Sequence, residues 1–325
     1  MAEVLPMERP TIRDALELFH RLIVDLQAAA QRELDLGANG YSPEEASARL
    51  ANIVPLQKVA PVQFQIDQDR LKVEHHYSKS HPADQNNVTA ARDALLDQGN
   101  RILESLRTSN CDPRLLDALK QLHSNLHDMQ DVVRLGIQNI ACEELRLGFE
   151  PELPTALAAL IKGHTTAIGL YVAQFPEWQQ FADNAARVEL NPDDIRQLRN
   201  TAYDLVAELE EDDRVDIEVP ASIKFLADAV KDPAHASKRT SFALLRSLEN
   251  LIAKIFRYAA DLVSETAGEI KKTVSKTVAG VVGRFVGIVL AGAMAVLPVY
   301  GKFADTAWMK SAAPLVQSLL SNSPK

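Results

Sequence analysis

Apolar residues recur at alternating steps of four and three along most of this chain, the spacing that lays one stripe down an α-helix. Ile12, Leu16, Phe19, Ile23, Leu26 and Ala30 predict a first helix over about Thr11–Leu36, with Thr11 as cap and Gly37 as its stop. A polar linker follows, then a short helix over Pro43–Ala51. From Val88 onward helical patterning dominates. Ala91, Leu95, Ile102 and Leu106 form one stripe, and Leu115, Leu119, Leu122, Leu126, Met129 and Val133 form a second, with Asp112 and Pro113 as cap and first turn. Two stripes this regular predict antiparallel packing in a helical bundle. Further helices are predicted over Pro154–Gln174, Pro192–Glu210 with Asn191 as cap, and Ala221–Lys231. A last long helix starts near Ser241 with a face of Leu248, Ile252, Ile255, Ala259 and Leu262.

The period changes once. Val62, Phe64 and Ile66 alternate with polar residues, a turn follows at Asp67–Asp69, and Leu71 and Val73 alternate again. This predicts one β-hairpin near residues 62–74. An isolated hairpin is marginal in water, so it is expected to lie on a helix or pair with another chain. The fold class expected is mainly α: a multi-helix bundle with one small β-hairpin and a C-terminal hydrophobic, transmembrane-type helix.

That last element is TVAGVVGRFVGIVLAGAMAVLPVYG, residues 277–301, with Arg284 as its sole charge. As a helix it would be about 37 Å long, against a hydrocarbon core of about 30 Å. Ala279, Gly283, Gly287, Ala291 and Ala295 fall at unbroken intervals of four and place five small residues on one ridge. In lipid, where apolar side chains gain little by leaving their solvent, close backbone approach along such a ridge drives helix association. The ridge resembles the small-residue stripe, or glycine zipper, of self-associating transmembrane helices. Arg284 must snorkel, meet a partner, or face an aqueous lumen. Lys271, Lys272 and Lys276 before the segment, and Tyr300, Lys302 and Trp308 at its far end, are the residue types that anchor a span at the interface. The opposing reading is a helix buried in its own protein core, since a helix apolar all round lies in protein or in lipid.

Charge separates the same parts. Residues 1–270 carry 28 bases against 43 acids, net −15, and residues 271–325 carry 7 against 1, net +6. The body would repel nucleic acid and anionic lipid, whereas the tail would be drawn to both. The expected organisation is a soluble acidic helical body over 1–240, a connecting helix over 241–276, the hydrophobic helix over 277–301 and an amphipathic tail over 302–325. The N-terminus has no apolar run of signal-peptide type. With lysines denser before the segment than after it, the body is expected on the cytoplasmic side.

Candidate chemistry is sparse. His123 and His127 stand four apart on a predicted helix, but Ser124 occupies the place where the zinc-protease pattern needs glutamate, and no third ligand accompanies them. His75, His76, His81 and Asp84 cluster in a hairpin end and loop, where closed tetrahedral metal sites rarely form. Cys111 and Cys142 have neither CxxC spacing nor a histidine beside them, and two cysteines make no disulfide framework. No GxGxxG, GxxxxGK[ST] or GxSxG run occurs. The sequence therefore predicts a non-enzymatic chain without catalytic, cofactor or metal residues. It is expected to associate with a lipid membrane and with copies of itself, and to perturb or permeabilise that membrane as an effector. Its acidic body is free to meet a protein partner, with no nucleic acid involved. The alternative is a soluble helical interaction module that keeps the hydrophobic helix in its own core.

Overall fold

The structure, a computed structural model, describes residues 43–128, 131–268, 292, 293, 295 and 297–321. The predicted first helix, Met129, and the residues Lys271, Lys272, Lys276, Ala279, Gly283, Arg284, Gly287 and Ala291 lie outside the described residues.

Four helices close a ring. They are α2 (Gln85–Arg107), α3 (Pro113–His127), α4 (Val132–Phe149) and α5 (Thr155–Val172), each packed on the next, with α5 returning to α2. The α3 stripe behaves as its spacing requires, burying Leu115, Leu119, Leu122 and Leu126. Asp112 caps this helix by accepting from the Arg114 amide, 2.8 Å away, with Pro113 in its first turn. Val133, however, does not extend the same stripe. The Asp131 carboxylate accepts from the Val133 and Arg134 amides and starts a separate helix. An N-cap overrides an apolar periodicity that runs through it.

A second layer is organised around one long helix. α1 (Pro43–Ile53), the hairpin strands β1 (Gln63–Asp67) and β2 (Arg70–Glu74), α6 (Pro176–Arg187), α7 (Pro192–Glu210) and α8 (Glu218–Asp228) surround α9 (Lys238–Gly268). Every residue of α9 from Thr240 to Ala253 is buried, so this helix is wrapped on all sides by its own chain. α7 starts with a reciprocal capping box between Asn191 and Asp194. α8 begins at Glu218 and takes Pro220 into its first turn, where a missing N–H leaves nothing unsatisfied. The helix therefore starts three residues before the predicted start at Ala221.

The hairpin pairs Phe64 with Val73 and Ile66 with Leu71. Its turn residues, Gln68 and Asp69, both have positive φ (50° and 59°), as a two-residue type I′ turn requires. Each outer edge is bonded at one residue. The Gln57 side chain donates to Phe64 O and accepts from Phe64 N, each at 2.7 Å. On the other side Leu71 N donates to Arg214 O and Leu71 O accepts from Asp216 N, each at 2.9 Å. Phe64, Leu71 and Val73 are thereby driven into the core against α8 and α9.

Among the described residues no single helix is long and apolar enough to cross a membrane. α5 and α6 together have the length and composition, but they bend by 100° at their junction. The fold among these residues is a mainly helical bundle carrying one antiparallel hairpin.

Candidate functional site: the seat of the C-terminal segment

Helix α9 carries charge where an enclosed helix should carry none. Arg246 and Glu249 sit one turn apart, with Glu249 only 1% exposed and Asn250 beside it equally buried. Burying a charge without a partner is prohibitive, so the partners define the site. Asn250 fixes the loop after α1: its Nδ2 donates to Lys58 O at 2.8 Å and to Val62 O at 3.3 Å, and its Oδ1 accepts from Lys58 N at 2.8 Å. That loop delivers the Lys58 ammonium to Glu249 Oε1 at 2.7 Å.

The remaining partners arrive from the C-terminal segment, which returns to the body as helical residues 297–300, a short turn at Ala304–Thr306, and α10 (Trp308–Ser321). Asp305 accepts from Lys58 Nζ at 3.1 Å and from the Arg246 guanidinium, whose other arm binds Glu249. The Trp308 indole donates to Glu249 Oε1 at 3.2 Å and stands edge-on to Phe256, with centroids 6.2 Å apart. Two cations and two carboxylates from three distant parts of the chain thus form a neutral, closely hydrogen-bonded quartet. Burial works against ionisation of Arg246, yet Glu249 and Asp305 outweigh it and hold its pKa above the ordinary value. For Asp305 burial again opposes the charged form, and Arg246 and Lys58 prevail, so its pKa is lowered.

Apolar and polar anchors flank the quartet. Tyr300 is fully buried and donates its hydroxyl to Leu245 O at 2.5 Å. Burial, with Glu249 nearby, drives its pKa well above the usual phenol value. Thr306 donates to Tyr300 O and tightens the turn. Lys302 reaches both oxygens of Asp194 at 2.6 and 2.7 Å, joining the segment to the capping box of α7. The Gln197 amide donates to Ala295 O at 2.5 Å, and Gly292 lies so close to Leu205 that a Cβ there would sit 2.9 Å from Leu205 Cδ2. α10 then lays Met309, Ala312 and Val316 against α1 and α9.

No family model, curated protein or solved structure matches the chain. The site is therefore read from its own chemistry.

Of the residues predicted as membrane anchors, the three described ones all serve the body in this conformation. Tyr300 fills the core, Lys302 pairs with Asp194, and Trp308 roofs Glu249. The physical reason is that an amphipathic ring with a polar tip suits a buried carboxylate or carbonyl as well as it suits a headgroup. Of the predicted packing ridge, the described residue Ala295 is exposed. Arg246, Glu249, Lys58 and Asp305 were not picked out from the sequence. The available signal was an i, i+3 opposite-charge pair inside the apolar run of α9.

The histidines are separated in the structure. His75 pairs with Glu218 at 3.0 Å, His76 lies 3.4 Å from Asp131, and His81 caps the 3₁₀ turn at Pro82–Asp84. His127 is exposed beside Asp128. His123 leans instead into the bundle over Gly99, where an added Cβ would fall 2.5 Å from its Nδ1 and 3.4 Å from His164 Nε2. Burial, then the nearby His123, pushes His164 down to about 4. Burial pushes the Cys142 thiol up to about 12, which leaves it inert, while Cys111 is half-buried. Among the described residues no three His, Cys, Asp or Glu side chains converge to hold a metal.

Proposed function

We propose that this chain is a membrane-associated, self-assembling helical protein, an effector whose body folds in water and whose hydrophobic stretch 277–301 packs through its small-residue ridge in lipid. The observation that carries this reading is the two-sided character of the described residues between Gly292 and Gly301. Ala293, Val299 and Tyr300 turn into the body, whereas Ala295 and Pro298 of the same apolar stretch remain exposed. A segment built only to complete a core would have little reason to keep apolar positions in water, or to carry a ridge of small residues whose glycines weaken a helix by about 1 kcal/mol each relative to alanine. The strong reversal of charge between body and tail supports the same assignment, with the acidic body held on the cytoplasmic side and basic residues at the lipid surface.

Permeabilisation follows if several copies bring Arg284 to a shared lumen. Dye release from liposomes by the full chain is the expected outcome, with release abolished by deletion of residues 277–301 and strongly reduced by replacing Gly283 and Gly287 with isoleucine. Equal release by all three proteins refutes the effector role.

A second reading has a specific observation in its favour. Burial of Tyr300 and partial burial of Trp308 against α9 suit a soluble helical interaction module that keeps its apolar segment for itself and meets a protein through the acidic body. Under that reading the full chain is monodisperse without detergent and stays so in the presence of vesicles.

A further inference from the structure

We infer that the docked C-terminal segment is an autoinhibitory clamp: the Lys58, Arg246, Glu249 and Asp305 quartet, with Tyr300 and Lys302, holds the chain in a form that excludes membrane crossing. This inference rests on the membrane reading above and adds the device that regulates it.

The argument is one of double occupancy. The uncharged part of the apolar stretch runs from Phe285 to Gly301, seventeen residues, already at the short limit for a span. The described residues between Gly292 and Gly301 are part of it, and in this structure several of them are spent on the body. Ala293 and Val299 are in the core, Tyr300 is bonded to α9, and Ala295 O accepts from α7. If these residues stay, fewer than ten uncharged residues remain after Arg284, too few to cross. If they enter lipid, Tyr300 and everything after it must leave the seat, because α10 follows within eight residues.

The polar part of the seat suits a hold that can open. Its charges sum to zero only when Asp305 is in place, and withdrawal of the segment leaves Lys58 and Arg246 facing Glu249 alone. Asp305 is half-exposed while Glu249 is enclosed, so the segment contributes the partner that water can reach. Lys302 and Asp194 repeat the arrangement at α7, with the segment's partner half-exposed and the body's carboxylate mostly covered. The two surface-accessible contacts are thus the points where release begins, and the carboxylates that stay behind are held by their own helices.

The test uses the full chain and vesicles of equal parts phosphatidylcholine and phosphatidylglycerol. Asp305→Arg sets a third cation against Lys58 and Arg246, and Lys302→Asp opposes Asp194. Neither change alters the buried body, and amide hydrogen exchange over residues 308–321 reports whether the segment has left its seat. The expected result is at least about tenfold tighter vesicle binding by the double variant than by the wild type, the change that a 1.4 kcal/mol shift in the docked population produces. It is accompanied by fast exchange in α10. Vesicle-bound wild-type protein that keeps α10 protected overturns the clamp and leaves the membrane reading standing. A double variant with α10 as protected as in the wild type overturns the clamp as well, since these contacts would then not be what holds the segment. An Asp305→Arg single variant, which keeps Lys302 for the interface, that releases α10 in water yet gains no affinity for vesicles refutes the membrane reading, and the clamp with it.

Discussion

Glu249→Gln tests the energetics of the seat most directly. The substitution keeps the shape of the side chain but removes a charge that serves three donors at once: Lys58 Nζ, the Arg246 guanidinium and the Trp308 indole. An amide offers one acceptor oxygen, and its NH₂ must point at a cation. Arg246, whose side chain is 9% exposed, is then left with Asp305 as its only carboxylate among the described residues. Removing one member of a buried ion pair typically destabilises by about 3–5 kcal/mol, because an uncompensated charge stays behind. Asp305 still supplies partial compensation, which points to the lower end, about 3 kcal/mol. Asp305→Asn should lose at most about 1 kcal/mol, since water already reaches that carboxylate. The double change Arg246→Met with Glu249→Leu removes both enclosed charges together. It is expected to be less damaging than Glu249→Gln alone, as buried pairs replaced by apolar groups often are. Urea unfolding followed by the fluorescence of Trp178 and Trp308 measures all three. A loss for Glu249→Gln no larger than for Asp305→Asn refutes the reasoning, since enclosure would then not matter.

Two further outcomes follow from the bundle. His164 has a pKa lowered from 6.5 to about 4 in the fold, so between those values the unfolded chain takes up a proton that the folded chain refuses. Stability from this site is complete above about 6.5 and is lost as pH falls toward 4, by on the order of 3 kcal/mol. Asp131 works in the opposite sense. Burial raises it to about 6, so its contribution is complete below its ordinary value of 3.8 and is lost as pH rises through 6. His164→Gln should therefore be relatively more stable at pH 4.5 than at pH 7, measured by thermal unfolding against the wild type. An unchanged difference between the two pH values would show that His164 is not the group responsible. The glycines give a contrast of sign. An ideal Cβ at Gly136 falls 2.1 Å from the Trp178 ring, whereas one at Gly163 meets nothing within 4 Å. Gly136→Ala is expected to cost about 1–3 kcal/mol through overpacking, while Gly163→Ala gains up to about 1 kcal/mol from helix propensity. Equal effects in denaturant titration would refute the close approach of Trp178.

The parts of this fold that could be read from the sequence are those whose signal is local. The α3 stripe, the Asn191 cap and the alternation around Phe64 and Leu71 each declare an element within a few residues. α4 left no such trace, because Gln138, Asn139, Cys142 and Arg146 are buried along with Val132, Val133 and Ile137, so no polar face survives to mark the stripe. α6 was legible in the spacing of Trp178, Phe181 and Ala185 but too short to stand out. The seat was the least accessible to sequence reasoning. Lys58, Glu249 and Asp305 are 191 and 56 residues apart, and nothing in their local surroundings announces that they meet. Tyr300 and Trp308 show the limit from the other side: residue type and position suggested an interface, and tertiary context gave each a protein partner.

The way the hairpin is finished bears on how copies of this chain can meet. With the Gln57 amide seated on Phe64 and the segment at Arg214–Asp216 seated on Leu71, each rim of the two-stranded ribbon has its peptide groups covered at one residue. Strand addition between molecules, the common route by which small exposed ribbons recruit one another into fibres, is thereby obstructed at both sides. A crowded solution of the folded protein is therefore expected to resist cross-β deposition through this ribbon.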